Sequence, residues 1–135
     1  MNIYVAAPWA HREQAKTAAD AFVAAGHTIA EEWWNHRDVG VYPHSAEGEA
    51  LAELQRQGID DLTSLYQADV MVVLQLAISE GKAFEQGVAY NLDKPIIVIS
   101  PNGDRGNLFH YLPRYRFSTS IEGAIKLLER RKERG

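Results

Sequence analysis

Glu85 is the side chain whose surroundings best suit it to chemistry. It lies in Ser79-Glu-Gly-Lys-Ala-Phe-Glu85-Gln-Gly87, between two apolar runs, Ala68-Asp69-Val-Met-Val-Val-Leu74 and Lys94-Pro-Ile-Ile-Val-Ile99. The pattern reads as a buried strand, a Gly-containing loop, a helix with a carboxylate in its first turns, and a second buried strand. Open α/β folds bind ligands at the carboxyl ends of their strands. A carboxylate held there can attack an electrophilic carbon or accept a proton. Early in a helix its negative charge is favoured by the dipole, so Glu85 is expected to be ionised; a Glu in that position also simply stabilises helices, and local sequence leaves both readings open.

Asp61 is the second candidate. Leu54, Gly58, Asp61 and Leu65 follow spacings of four, three and four, which puts an acid on an otherwise apolar helical stripe. Such an acid needs a partner. A slightly rotated helix would instead expose both Asp61 and Asp60. Ser79 and Gly81 open the following helix and offer a hydroxyl and backbone amides to an anion or a hydroxyl group, with Lys82 adding charge. Ordinary capping explains the same residues. Tyr4, Trp9, Trp33 and Trp34 can stack on a planar ring or fill the core. His11, His36 and His44 lack the spacing of a helical metal site, and no metal is assigned.

These side chains need a scaffold. Residues 2–7 read as a first strand ending at Pro8, and Ala15, Ala18, Ala19, Phe22 and Val23 follow helical spacing until Gly26. Residues 27–34 read as a second strand and 35–44 as a loop. Ser45 can cap a helix to about Gln67, with Leu51, Leu54, Leu62 and Leu65 inward. Residues 69–75 lack polar alternation, as in a strand covered on both faces. A helix over 81–92, a strand over 95–100 and a short edge strand over 114–117 follow. Thr119-Ser-Ile-Glu122 has the form of a capping box, and Ile121, Ala124, Ile125 and Leu128 supply the last helix's apolar stripe. Alternating strands and helices predict a single flavodoxin-like or Rossmann-like α/β domain with helices on both faces of a parallel sheet. We expect five strands in the order 2-1-3-4-5, with the ligand cleft beside strands one and three.

The bulk properties set limits. A chain of 135 residues suits one domain. A net charge of −4 gives no footprint for a nucleic-acid polymer. The absence of cysteine excludes disulfides and thiolate metal sites. The first residues lack a signal-peptide pattern and no apolar run is long enough to cross a bilayer, so a cytoplasmic location is expected.

Taken together, these residues resemble the nucleoside 2-deoxyribosyltransferases and the related deoxynucleoside 5′-monophosphate N-hydrolases. Ile3-Tyr4-Val-Ala-Ala-Pro-Trp9 looks like the family's first strand with its Tyr and Trp. Asp61, eight residues before Asp69, looks like the active-site Asp, and Ser79-Glu-Gly-Lys-Ala-Phe-Glu85-Gln-Gly87-Val-Ala89 like the segment carrying the nucleophilic Glu. Asn107-Leu108 resembles a segment that in transferases reaches the neighbouring subunit's site. Transferases commonly carry Asp six residues before the nucleophile, whereas Ser79 stands there as in the monophosphate hydrolases. The first loop, Ala7-Pro8-Trp9, is nearer the transferases and lacks the hydrolases' Gly-Ser and Gly-Gly-Arg pattern.

The resemblance implies cleavage of the N-glycosidic bond of a 2′-deoxynucleoside or its 5′-monophosphate. Glu85 would be the nucleophile, Asp61 would hold and protonate the base, Tyr4 would orient Glu85, and Trp9 would line the base pocket. Ser79, Gly81, Lys82, Arg12 or His11 would meet the sugar or a phosphate. No cofactor is implied. The expected partners are a nucleoside or nucleotide, a free nucleobase, and further copies of the chain, with Asn107 reaching a neighbouring site. A base acceptor makes a transferase, and water makes a hydrolase. A non-catalytic nucleotide-binding module and a flavodoxin-like redox protein are the alternatives on the same fold.

Overall fold

The computed structural model describes residues 1–39 and 46–134, so His44 and Ser45 lie outside the described residues. Its strands are β1 (Asn2–Ala6), β2 (Thr28–Ile29), β3 (Val70–Leu74), β4 (Ile96–Ile99) and β5 (Tyr115–Ser118). They form one five-stranded sheet in the order β2-β1-β3-β4-β5, with every pair parallel. The helices are α1 (Arg12–Ala24), α2 (Gly48–Gln67), α3 (Glu80–Asn91) and α4 (Ile121–Arg134). This is the α/β architecture and strand order expected from the sequence.

The central strands explain the fold. All residues of β3 and β4 are buried, as continuous Val, Ile, Leu and Met runs must be when helices cover both faces of a sheet. Helix α1 contributes Ala15, Ala18, Ala19 and Phe22 to the core, and α4 contributes Ala124 and Leu128. Contacts pair α1 with α4 and α2 with α3. Among the described residues no helix is long and apolar enough to cross a membrane.

Three local expectations are corrected. The second strand is far shorter than residues 27–34, because Trp33–Asn35 turn as a 3-10 helix. The cause is tertiary: Trp33 is buried and its Nε1–H donates to the Val5 carbonyl at 2.6 Å, which draws the chain out of the sheet plane. Leu51, expected inward, lies in the first turn of α2 and is exposed. The last helix is capped by Ser120 rather than Thr119, with the Gly123 amide donating to Ser120 Oγ at 3.0 Å. Gly123 permits that tight entry, since a Cβ there would collide with Ser118 Oγ and lie 3.3 Å from Ser118 Cβ.

Candidate active site

Strand β1 lies between β2 and β3, at the point where the strand order reverses. Tyr4 is central in β1, opposite Met71 of β3, and is fully buried. Its hydroxyl donates to Glu85 Oε2 across the sheet-to-α3 boundary. Burial, followed by the nearby Glu85 carboxylate, raises the Tyr4 phenol above its ordinary value, so Tyr4 stays protonated and can serve as a donor.

Glu85 sits in the second turn of α3, because Ser79 is the N-cap and the helix begins at Glu80. The dipole effect is concentrated in the first turn. Burial dominates instead: it pushes the Glu85 carboxyl up to about 7, against the lowering effect of the Tyr4 hydrogen bond and with the Asp61 charge adding to the rise. The expectation of an ionised Glu85 held by the helix dipole is therefore corrected. Near neutral pH this carboxyl is divided between its two forms, and its ionised form is both a base and a nucleophile.

An open cavity of about 700 Å³ lies between α2 and α3 and is lined by both Asp61 and Glu85. Leu54, Gly58, Ile59 and Leu62 form the α2 side, and Gly81 and Phe84 the α3 side. Leu54, Gly58 and Asp61 of the helical stripe read from the sequence thus line the cavity, while Leu65 is buried in the core. Asp60 stays at the surface and accepts from Arg56 at 2.7 Å. Asp61 is paired inward: its Oδ1 lies 2.9 Å from His36 Nε2. Burial raises the Asp61 carboxyl and the His36 hydrogen bond offsets part of that rise. Glu31 Oε1 lies 3.9 Å from the same imidazole nitrogen, and the Ser64 hydroxyl donates to Glu31 Oε2 at 2.7 Å.

Sequence reasoning missed His36 and Glu31, because neither forms a recognisable spacing with Asp61. One ligand atom from each of the three lies within 4.8 Å of the others, close enough to converge on a cation. The pairing seen is a hydrogen-bonded one.

The other expected residues are placed as follows. Gly81 lines the cavity. Ser79 Oγ accepts from the Lys82 amide at 3.3 Å as the α3 cap. Lys82 is not a free cation at the site: it is buried, and its Nζ donates to Ala77 O at 2.7 Å, Gln75 Oε1 at 3.2 Å and Leu74 O at 3.4 Å. Burial lowers its ammonium pKa. Lys82 therefore ties down the loop after β3 instead of presenting charge to a phosphate. Trp9 follows β1 in a 3-10 turn, tilts against Trp33 with centroids 6.2 Å apart and remains partly exposed. Arg12 caps that ring at 4.8 Å and donates to Trp9 O at 3.1 Å. His11 Nδ1 is buried without a hydrogen-bond partner among the described residues. Asn107 caps a 3-10 turn on the exposed segment after β4, its Oδ1 accepting from the Phe109 amide at 2.9 Å. Beside Glu85, Gln86 accepts from the Tyr115 hydroxyl at 2.9 Å, which ties α3 to β5.

One prediction arises from the Tyr4–Glu85 pair. Tyr4→Phe removes the interaction that lowers the Glu85 carboxyl, so the acid limb of kcat/KM governed by Glu85 should move above 7. The rate on the high-pH plateau should fall about tenfold or more, from the loss of one hydrogen bond to a charged group. A pH–rate profile of the variant measures both effects, and an unmoved limb would detach Tyr4 from the ionisation of Glu85.

No functionally curated protein matches the sequence. Among solved structures, the fold is similar to a 2-deoxyribosyltransferase from Bacillus psychrosaccharolyticus, at 20% identity and a TM-score of 0.68 over 93% of this chain and 90% of that one. It is also similar to a CMP N-glycosidase from Clostridium botulinum, at 15% identity and a TM-score of 0.58 over 96% and 98% of the two chains. A conserved protein from Enterococcus faecalis shares 18% identity with a TM-score of 0.56 over 94% and 87%. At these identities the likeness is one of fold. The family model for nucleoside 2-deoxyribosyltransferase matches residues 3–112, a span that contains Tyr4, His36, Asp61, Glu85 and Asn107. The chain is an enzyme of N-glycosidic bond transfer or hydrolysis and belongs to the nucleoside 2-deoxyribosyltransferase family.

Proposed function

We infer that the chain cleaves the N-glycosidic bond of a 2′-deoxynucleoside or its 5′-monophosphate through a glycosyl ester on Glu85, and transfers the deoxyribosyl group to a second nucleobase. The observation that carries this reading is the Tyr4–Glu85 hydrogen bond at the wall of a cavity shared with Asp61. Ionised Glu85 attacks the anomeric carbon as the C–N bond breaks, through an oxocarbenium-like transition state. The bond's electron pair leaves with the base, which takes a proton from Asp61. The acceptor base then attacks the ester carbon and returns its proton to Asp61.

Water as acceptor gives the hydrolase reading. Ser79 favours it, because an uncharged residue six positions before Glu85 does not repel a 5′-phosphate. With Lys82 occupied by carbonyl oxygens, Arg12, His11 and the Ser79 hydroxyl remain as phosphate partners. Assembly into a homo-oligomer belongs to the same reading. Asn107 stands on an exposed turn with Leu108, Phe109 and Tyr111, whose exposed apolar surface suits an interface.

Chromatography of deoxynucleosides and their monophosphates, each with and without a second free base, tests the reading. A new nucleoside formed only with the acceptor is expected. Free base released chiefly from monophosphates, without exchange, would replace the transferase reading by the hydrolase. Intact substrates throughout would overturn both.

A further inference from the structure

We propose that His36 is a positioning residue for leaving-group protonation: it anchors one oxygen of Asp61, leaves the other for the departing base, and stabilises the carboxylate formed when Asp61 gives up its proton. This inference rests on the reading of Glu85 as nucleophile and Asp61 as proton donor.

Its foundation is geometric. His36 Nε2 lies 2.9 Å from Asp61 Oδ1, and no hydrogen bond reaches Oδ2 among the described residues. The imidazole is more enclosed than Asp61, with side-chain exposures of 10% and 28%, so the bond is shielded while the acid still reaches the cavity. Glu31 Oε1 faces the same nitrogen, His36 Nε2, at 3.9 Å, and Glu31 is itself fixed by Ser64 of α2 at 2.7 Å. The chain of contacts Ser64–Glu31–His36–Asp61 therefore starts and ends on α2 and crosses the segment after β2.

The proton balance follows. As the C–N bond breaks, its electron pair goes to the base nitrogen and the Asp61 proton goes to the base. Asp61 becomes a carboxylate, and the His36 Nε2–H donates to it. When the acceptor attacks, its proton returns to Asp61 and the cycle closes with no net change at His36. Titratable groups facing Asp61 come from several elements: Tyr4 of β1, which stays protonated, Glu31 and His36 of the segment after β2, Asp60 of α2, and Glu85 of α3. Burial and the neighbouring acids keep the proton on Asp61, and His36 is the group in this set that stabilises the carboxylate once that proton leaves. It supplies stabilisation where the charge develops.

The test compares two leaving groups. Natural nucleobases need protonation, whereas 4-nitrophenolate departs without it. His36→Phe should lower kcat on 2′-deoxynucleosides about ten- to hundredfold with KM little changed, the effect of losing one hydrogen bond to a developing charge. The same variant should cleave 4-nitrophenyl 2-deoxyriboside at nearly the parental rate. His36→Gln, which keeps a donor, should recover part of the loss. The carboxyl titration of Asp61, followed by carbon NMR, should move upward in His36→Phe and provides a readout independent of turnover. Equal losses on both substrates in an active parent, or an unmoved Asp61 titration, would overturn this inference while leaving Glu85 as nucleophile. A parent that cleaves neither substrate would overturn the proposed function as well. A metal-stripped parent that is inactive until zinc is added would make His36 a ligand and also overturn the inference.

Discussion

Glu85→Gln is expected to reduce glycosidic-bond cleavage by a factor on the order of 10⁴–10⁶, as loss of a covalent nucleophile does elsewhere. The substitution is nearly isosteric. The Gln carbonyl can still accept the Tyr4 hydroxyl hydrogen, so the cavity wall and the Tyr4 position are retained. What is lost is the ionisable oxygen that forms the ester. Substrate binding, measured by calorimetry, should therefore change little while turnover collapses. Full activity in this variant would remove Glu85 as nucleophile.

The same substitution should stabilise the protein, and only at the higher pH values. Burial raises the folded-state carboxyl from 4.5 to about 7. Between those values the folded state holds a proton that the unfolded chain has released, so stability falls as pH rises through this window and levels off above it. At about 1.4 kcal/mol per pKa unit, full ionisation of Glu85 costs about 3 kcal/mol, and solvent access through the open cavity makes this an upper value. Glu85→Gln carries no such titration. Thermal denaturation at pH 5 should give similar midpoints for the two proteins. At pH 8 the variant should melt higher by several degrees. A constant difference across the range would show that Glu85 is not held at a raised value. The burial that makes Glu85 costly to ionise lies in the cavity where the proposed reaction would take place, a common exchange of stability for activity.

Much of the scaffold was legible because its signals are local and strong. The apolar runs that became β3 and β4 admit no other placement than a doubly covered sheet. The acid on the α2 stripe was legible for the same reason, since helical periodicity alone put Asp61 with Leu54 and Gly58 on one wall. What escaped was set by tertiary contacts. The state of Glu85 follows from burial under the fold, not from its position in α3. Lys82 looks like an exposed cation in sequence, but the loop it closes offers it three oxygens. His36 reads as an incidental loop residue until the turn at Trp33–Asn35 brings it to α2. That turn depends on the Trp33 bond to a carbonyl of β1.

In the proposed mechanism transferase and hydrolase both pass through an ester on Glu85. The most direct measurement is mass spectrometry of the enzyme after mixing with a deoxynucleoside and rapid acid quenching, followed by peptide mapping. The expected result is a mass gain of one deoxyribosyl group on the peptide containing Glu85, absent from Glu85→Gln. Base release by an enzyme that never carries the added mass under single-turnover conditions would contradict covalent catalysis and leave Glu85 as a base that activates the acceptor.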